Sequence, residues 1–83
     1  MLFVFEQLGT YGFWMKDMNF ALDMIFADAQ GRIVTIVQDA TPESYQQNPP
    51  KVFYPTAPAQ YVLEVPAGFA ASHGIAVGMK VAI

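Results

Sequence analysis

Three charged residues interrupt apolar stretches of the chain, and they are the first candidates for chemistry. Lys16 follows Phe-Trp-Met, Asp23 opens the run Asp-Met-Ile-Phe, and Glu64 lies within Tyr-Val-Leu-Glu-Val. Because an unpaired buried charge is costly, Lys16 is expected within ion-pair distance of Asp23 or Glu64. Two facing carboxylates could instead serve as the acid and base of a hydrolase-like enzyme. Two structural alternatives stay open: Glu64 on the solvated face of an edge strand, or either carboxylate accepting backbone N–H bonds at a turn.

Aromatic residues provide a second kind of candidate, a binding surface. Aromatic ring faces stack on the apolar faces of ligands such as sugars. Core packing is the more common role for Phe13 and Trp14, whereas Tyr45, Phe53 and Tyr54 belong to a loop and are more open to binding. The candidate site for a small polar ligand consists of Trp14, Lys16, Asp23, Tyr54 and Glu64.

Other reactive groups are sparse. His73 is the only histidine and the chain has no cysteine, so the usual ligand set of a zinc site is absent from the sequence. Neither serine lies in a nucleophile-elbow pattern, and the glycines are not grouped as in a phosphate-binding loop. We therefore expect no metal and no cofactor, and a protein that is more a binding module than an enzyme.

The composition is that of one small apolar domain spanning residues 1–83. Hydrophobic residues make up 54% of the chain and charged residues 13%, about half the usual charged share. The net charge is −3 and the four basic residues are scattered, so neither nucleic acid nor an anionic membrane is an expected partner. No apolar run could span a bilayer, and the N-terminal run lacks the basic region of a signal peptide, so no compartment is indicated.

Short β-like runs separated by turn residues predict a mainly β (α+β) domain, a small curled antiparallel sheet or partial barrel with one short helix. The clearest element is a hairpin of residues 24–27 and 33–37, with Asp-Ala-Gln-Gly as the turn. Residues 2–5, 13–15, 61–65 and 79–83 are further predicted strands, about six in total. Pro66 and Gly74 fit the start and end of a helix over residues 66–73. Five of the six prolines lie in residues 39–60, which predicts a long, mobile loop.

The order of these motifs resembles the bacterial and archaeal family called domain of unknown function 192. The similar segments are MLFVF, FWMKDMNFALDMIF, DAQGRIV and YVLEVPAGFAASHGIAVGMKV, which together cover nearly the whole chain. The matching residues are Trp14, Met15, Lys16, Leu22, Asp23, Phe26, Tyr61, Leu63, Glu64, Gly68, Gly74 and Gly78. Asp17 stands where the family usually has Asn, Met79 where it often has Asp, and the Pro-rich loop lacks the cysteines of many relatives.

The resemblance implies a β-rich domain in which Lys16 and Asp23 are a polar signature within a central strand pair. Relatives usually begin with one more strand and a short helical segment before the position of Met1, which implies an unpaired strand edge in this chain. Such an edge can pair with another chain, and a short domain without disulfides gains stability by self-association. We therefore expect a homodimer formed through an exposed strand edge.

Three functions are compatible with these features. A non-enzymatic ligand-binding or accessory module ranks first, since a polar patch and aromatic residues accompany no recognisable catalytic set. A self-assembling structural domain ranks second. An enzyme that uses Asp23 and Glu64 ranks third.

Overall fold

Four antiparallel strands form a single open sheet in the order β1-β4-β2-β3. The computed structural model describes residues 1–81. The strands are β1 (Leu2–Gly9), β2 (Leu22–Ala27), β3 (Ile33–Ala40) and β4 (Ala59–Pro66), with a 3₁₀ helix at Pro42–Gln46 and one short α-helix, α1 (Phe69–Ser72). The predicted fold class is confirmed as an open antiparallel sheet with one short helix.

The β2–β3 hairpin is held by the turn that the sequence predicts. Gly31 has a φ of 82°, a conformation that suits glycine because it has no Cβ. The carboxylate of Asp28 accepts hydrogen bonds from the backbone N–H groups of Gln30 and Arg32 at 3.0 and 2.9 Å. The turn therefore satisfies its own backbone donors and fixes the register of the two strands.

Each face of the sheet carries its own apolar cluster. On the first face, Met24 and Phe26 of β2 pack with Val62 of β4, and partly buried aromatic residues from β1 and the loops cover them. On the second face, Ile25 packs with Ile33 and with Ala70 of α1. Because side chains alternate along a strand, both faces of β2 are covered, and all six of its residues are buried.

The predicted C-terminal helix is too long. Pro66 is the last residue of β4, and Gly68 has a φ of 91°, so the helix begins only at Phe69. The left-handed conformation of Gly68 interrupts any helical path between Pro66 and Phe69. Gly74 follows the helix with a φ of 63°, as expected for a residue that ends it.

Two of the predicted strands are reduced to isolated bridges. Residues 13–15 contribute one bridge, between Phe13 and Phe53. In the C-terminal segment Lys80 bridges to Arg32, and residues 82 and 83 of that predicted strand lie outside the described residues. The expected central strand pair within residues 11–26 is thus one central strand, β2, preceded by an irregular connection.

The proline-rich segment has more fixed contacts than its sequence suggests. Ser44 is buried, and its backbone carbonyl accepts a hydrogen bond from the N–H of Lys51 at 3.1 Å. Thr56 donates its backbone N–H to the Thr35 hydroxyl of β3 at 2.8 Å. The first bond closes the segment on itself, and the second ties it to β3.

Candidate functional site

The carboxylate of Asp23 joins three separate segments of the chain. One of its oxygens accepts the backbone N–H of Asp39 at 3.0 Å. The other accepts the N–H groups of Gly68 and Ala70, at 3.1 and 3.0 Å. Asp23 is only 1% exposed, so these donors replace the water that the carboxylate loses on burial. Of the roles considered for this acid, acceptance of backbone N–H bonds at turns is confirmed.

The local sequence explains why the three donors are available. Asp39 has a φ of 56°, so the end of β3 departs from regular extended backbone there. Gly68 and Ala70 lie at the start of α1, where N–H groups have no partner within the helix. The side chain of Asp23 therefore fills the role of a helix cap although it comes from a distant strand.

Asp23 and Glu64 cannot act as a catalytic pair. The β2–β4 register places Asp23 opposite Val65 and Met24 opposite Glu64. Residues directly opposite each other share a face, and consecutive residues point to opposite faces. The two carboxylates thus lie on opposite sides of the sheet and do not face each other, as the acid-and-base alternative would require.

The expected ion pair of Lys16 is also wrong. The bonds to Asp23 all come from backbone N–H groups, and Lys16 is an exposed residue of a turn. At Glu64, burial raises the pKa of the carboxyl above its ordinary value, and the positive charge of the terminal amino group partly offsets this. No lysine contributes to that shift. Glu64 lines a groove of about 300 Å³ with Phe20 and other apolar side chains, which explains the loss of solvation.

A groove of about 370 Å³ lies over Asp23, between the end of β3 and the start of α1. Gln38, Asp39 and Gly68 line it with Asp23. Because the Asp23 carboxylate is already engaged by three N–H groups, it has little capacity left for a ligand. Asp23 is therefore better described as a structural acid than as a site residue.

Trp14 and Tyr54 each follow one residue of the isolated bridge between Phe13 and Phe53. Phe13 and Phe53 exchange backbone hydrogen bonds of 2.9 and 2.7 Å, and both side chains pack against the first core cluster. In an antiparallel bridge this pairing places Gly12 opposite Tyr54, and Trp14 diagonal to Tyr54 on the outward side. Trp14 is 49% exposed and Tyr54 59% exposed, so both rings face solvent.

Neighbouring residues fix the positions of these two rings. The ring of Tyr45 lies edge-on to Trp14, with centroids 5.1 Å apart and planes at 90°. A Cβ added to Gly12 would lie 2.6 Å from the Tyr54 ring, so the ring packs directly on the glycine backbone. We call the surface formed by Trp14, Tyr45 and Tyr54 the aromatic platform. It presents two half-exposed rings: Trp14 contacts the ring of Tyr45, and Tyr54 packs on the backbone of Gly12.

The structure thus divides the five candidate residues. Trp14 and Tyr54 share the aromatic platform, and Lys16 is exposed two residues from Trp14. Asp23 is buried on the opposite side of the sheet from the cluster that supports the platform, and Glu64 lies in a different groove. Because β2 and β4 carry their two acids on different faces, the five residues do not lie side by side, and a ligand-binding role for them stays a prediction.

Gly12 is the residue of this surface that sequence reasoning missed. Its contact with Tyr54 depends on a bridge between segments 40 residues apart. The available signal was a glycine placed between Tyr11 and the aromatic pair Phe13 and Trp14. Such a glycine can mark a close approach of another part of the chain.

Residues 1–81 show neither a cluster of metal ligands nor a membrane-spanning helix. Within residues 1–81, no three His, Asp or Glu side chains are close enough to hold a metal ion together. In the same part of the chain, no helix has the combination of length and apolar character that crossing a membrane requires.

Comparison with known proteins gives one family and two similar folds. The sequence model of the DUF192 family, described as Uncharacterized ACR, matches residues 1–83. A crystal structure of a Sinorhizobium meliloti protein, described as a candidate transcription regulator, has a TM-score of 0.86 and 34% identity. A Novosphingobium aromaticivorans protein of unknown function has a TM-score of 0.84 and 30% identity. Each covers 96% of this chain, which spans only 58% and 54% of their lengths. No curated protein matches significantly.

Proposed function

We propose that this chain, which belongs to the DUF192 family, is a non-enzymatic binding module whose aromatic platform holds a small polar ligand such as a sugar. The observation that carries the proposal is the pair of half-exposed rings, Trp14 and Tyr54, on the outer side of one ladder. Single exposed apolar residues are ordinary on protein surfaces. Here two half-exposed rings flank one bridge, and each is held by a further contact, Trp14 by the Tyr45 ring and Tyr54 by the Gly12 backbone.

The chemistry of the platform suits a ligand with both an apolar face and hydroxyl groups. A pyranose ring presents C–H groups on its flat faces, which stack on Trp and Tyr, while its hydroxyls point outward to polar groups. The Tyr54 hydroxyl and the exposed Lys16 ammonium are donors on or near the platform. A purely apolar ligand would leave these groups without partners.

A nucleic acid is less well supported as the ligand. The Sinorhizobium relative is described in terms of transcription regulation, but this chain has a net charge of −3 and only four Lys and Arg residues. Phosphate backbones are bound through clusters of positive charge, which this composition does not provide.

Trp14 is the only tryptophan in the chain, so its fluorescence reports on the platform directly. We would titrate the protein with soluble hexasaccharides of glucose and of N-acetylglucosamine and follow the emission of Trp14. The expected result is a saturable change for at least one sugar. Tyr54→Ala should weaken that binding about 3- to 10-fold, because one stacked ring contributes about 0.5–1.5 kcal/mol.

Phe20→Ala is the matched control. Phe20 is an aromatic residue that is 56% exposed but lines the groove beside Glu64 instead of the platform. Its removal should leave the sugar affinity unchanged. The proposal fails if no sugar changes the Trp14 emission or the amide NMR shifts of the platform at millimolar concentration. It also fails if Phe20→Ala and Tyr54→Ala weaken binding equally.

A further inference from the structure

The outer edge of β1 has free backbone hydrogen-bonding groups. Met1 and Glu64 exchange backbone hydrogen bonds of 2.6 and 2.8 Å. Bonded residues alternate along an antiparallel ladder, so Phe3 is the next residue to bond with β4. The N–H and C=O groups of Leu2 and Val4 consequently point away from β4, toward the edge of the sheet.

The side chains at this edge are apolar and uncovered. Leu2 is 50% exposed and Val4 is 61% exposed, on the face of the sheet that carries α1. The helix packs on the part of this face near β2, and within residues 1–81 the side chains of Leu2 and Val4 stay half exposed or more. A groove of about 330 Å³ continues this surface, lined by Leu2, Ile25, Ala27, Tyr61, Leu63, Ile75 and Val81. Leu2, Val4 and the apolar lining of this groove form one surface.

We propose that this edge pairs with the β1 edge of a second copy of the chain, across a two-fold axis centred near Phe3. The regular part of β1 ends at Val4, because the β1–β4 register shifts between Val4 and Gly9. A two-fold pairing that uses only this regular part places Leu2 opposite the partner's Val4. Both residues direct their free backbone groups outward, so the pair exchanges two hydrogen bonds.

The charges on β1 are compatible with a second copy. Glu6 is the only charged residue of the strand, and it lies outside the paired segment, so no two like charges face each other. Strands at the edge of a sheet are commonly protected by Lys or Pro. Residues 1–9 contain neither. The symmetric pairing covers the exposed side chains of Leu2 and Val4 with each other and joins the two sheets into one.

Light scattering after size exclusion tests the proposal on the 83-residue chain. We expect a dimer mass at micromolar concentrations. Val4→Lys should give a folded monomer, because it places an ammonium at the centre of the shared surface. Val77→Lys is the matched control, since Val77 is also 61% exposed but lies outside the sheet, and it should remain a dimer. A monomeric wild-type chain overturns the proposal and would leave this edge to another occupant, such as a flanking segment. A dimeric Val4→Lys variant overturns it as well.

Cysteine variants test the register without relying on Val4→Lys. The chain has no cysteine of its own. Opposite residues of a hydrogen-bonded antiparallel pair have Cα atoms about 5.5 Å apart, within the range that a disulfide spans. An equimolar mixture of Leu2→Cys and Val4→Cys proteins should form a covalent dimer under mild oxidation. A mixture of Leu2→Cys and Val77→Cys should not. Equal cross-linking in both mixtures, or none in either, overturns the pairing.

Discussion

Removing the Asp23 carboxylate should destabilise the fold more than any other single change to a charged residue of this chain. The carboxylate accepts three backbone N–H groups, from Asp39, Gly68 and Ala70. Hydrogen bonds to a charged group contribute about 1.5–3 kcal/mol each, although contributions within one network do not add fully. We expect Asp23→Ala to lower the free energy of unfolding by about 3–5 kcal/mol. A chain of this length has roughly 4–12 kcal/mol in total, so that variant can be largely unfolded.

Asp23→Asn is the more informative variant because it retains the shape of the side chain. Its single oxygen can serve Gly68 and Ala70, while its NH₂ group then faces the N–H of Asp39, so one hydrogen bond is lost and two donors oppose each other. We expect a loss of about 1–3 kcal/mol. Asp39→Asn is the control, because it removes the same charge from a neighbouring exposed residue. The left-handed conformation of Asp39, with a φ of 56°, is one that Asn tolerates.

The assay is urea denaturation followed by circular dichroism, together with amide hydrogen exchange measured by NMR. Asp23→Asn should reduce the protection of the Asp39, Gly68 and Ala70 amides beyond the global loss of stability. Asp39→Asn should change stability by no more than about 0.5 kcal/mol. Equal unfolding free energies for the two Asn variants would refute the reasoning. So would wild-type Gly68 and Ala70 amides that exchange as fast as exposed ones.

Three further predictions concern the platform, a carboxyl group and a loop. Gly12→Ala should displace both the Tyr54 ring, which can move into solvent, and the partly buried Val52 side chain, because the new Cβ would lie 2.6 Å from each, at a cost of about 1–3 kcal/mol; unchanged Tyr54 ring NMR shifts would contradict the contact. Burial raises the pKa of Glu64 above 4.5, with the terminal amino group partly offsetting the rise, so the folded state binds more protons than the unfolded state above that pH. The free energy of unfolding should therefore fall as the pH rises from the unfolded-state pKa of Glu64 through its higher folded-state pKa. Glu64→Gln should flatten this dependence of the melting temperature on pH, and an unchanged dependence would remove Glu64 as its cause. Trypsin should cleave at Lys51 before it cleaves at Arg32, because the N–H and the C=O of Arg32 are both bonded within the hairpin turn, whereas Lys51 lies in a segment without regular strand pairing and is held there by its N–H; a cut at Arg32 before Lys51 would show that the segment is the more rigid of the two.

The local elements of the fold were predictable, and the long-range pairings were not. The β2–β3 hairpin follows from two β-like runs and a turn ending in Gly31, all within 20 residues. The pairing of β1 with β4 joins residues about 60 positions apart, and periodicity carries no information about such partners. The length of α1 was overestimated for a local reason: Pro66 fits a helix start as well as a strand end, and only the backbone of Gly68 distinguishes the two.

The site was only partly predictable, again because it depends on pairing between distant segments. Exposed aromatic residues could be proposed from Trp14 and Tyr54, but their proximity depends on the bridge between Phe13 and Phe53. The acids were ambiguous, because a carboxylate in an apolar strand is equally compatible with a catalytic pair, an ion pair or a structural acceptor. The donors to Asp23 are backbone N–H groups 16 to 47 residues away. Every residue except proline has such a group, so the sequence does not indicate which of them will donate.

The structure places the residues that stabilise the fold and those proposed to bind on different faces of one sheet. Asp23 anchors α1 on the second face, whereas Phe13 and Phe53 support the platform from the first. Because β2 lies between these faces, Asp23→Asn should lower stability while a folded sample keeps its affinity for a platform ligand. Tyr54→Ala should weaken ligand binding and leave the free energy of unfolding nearly unchanged, since a side chain that is 59% exposed contributes little to the core. A fluorescence titration and a denaturation curve on both variants measure this separation, and an Asp23→Asn protein that stays folded but no longer binds would show that the two faces are coupled.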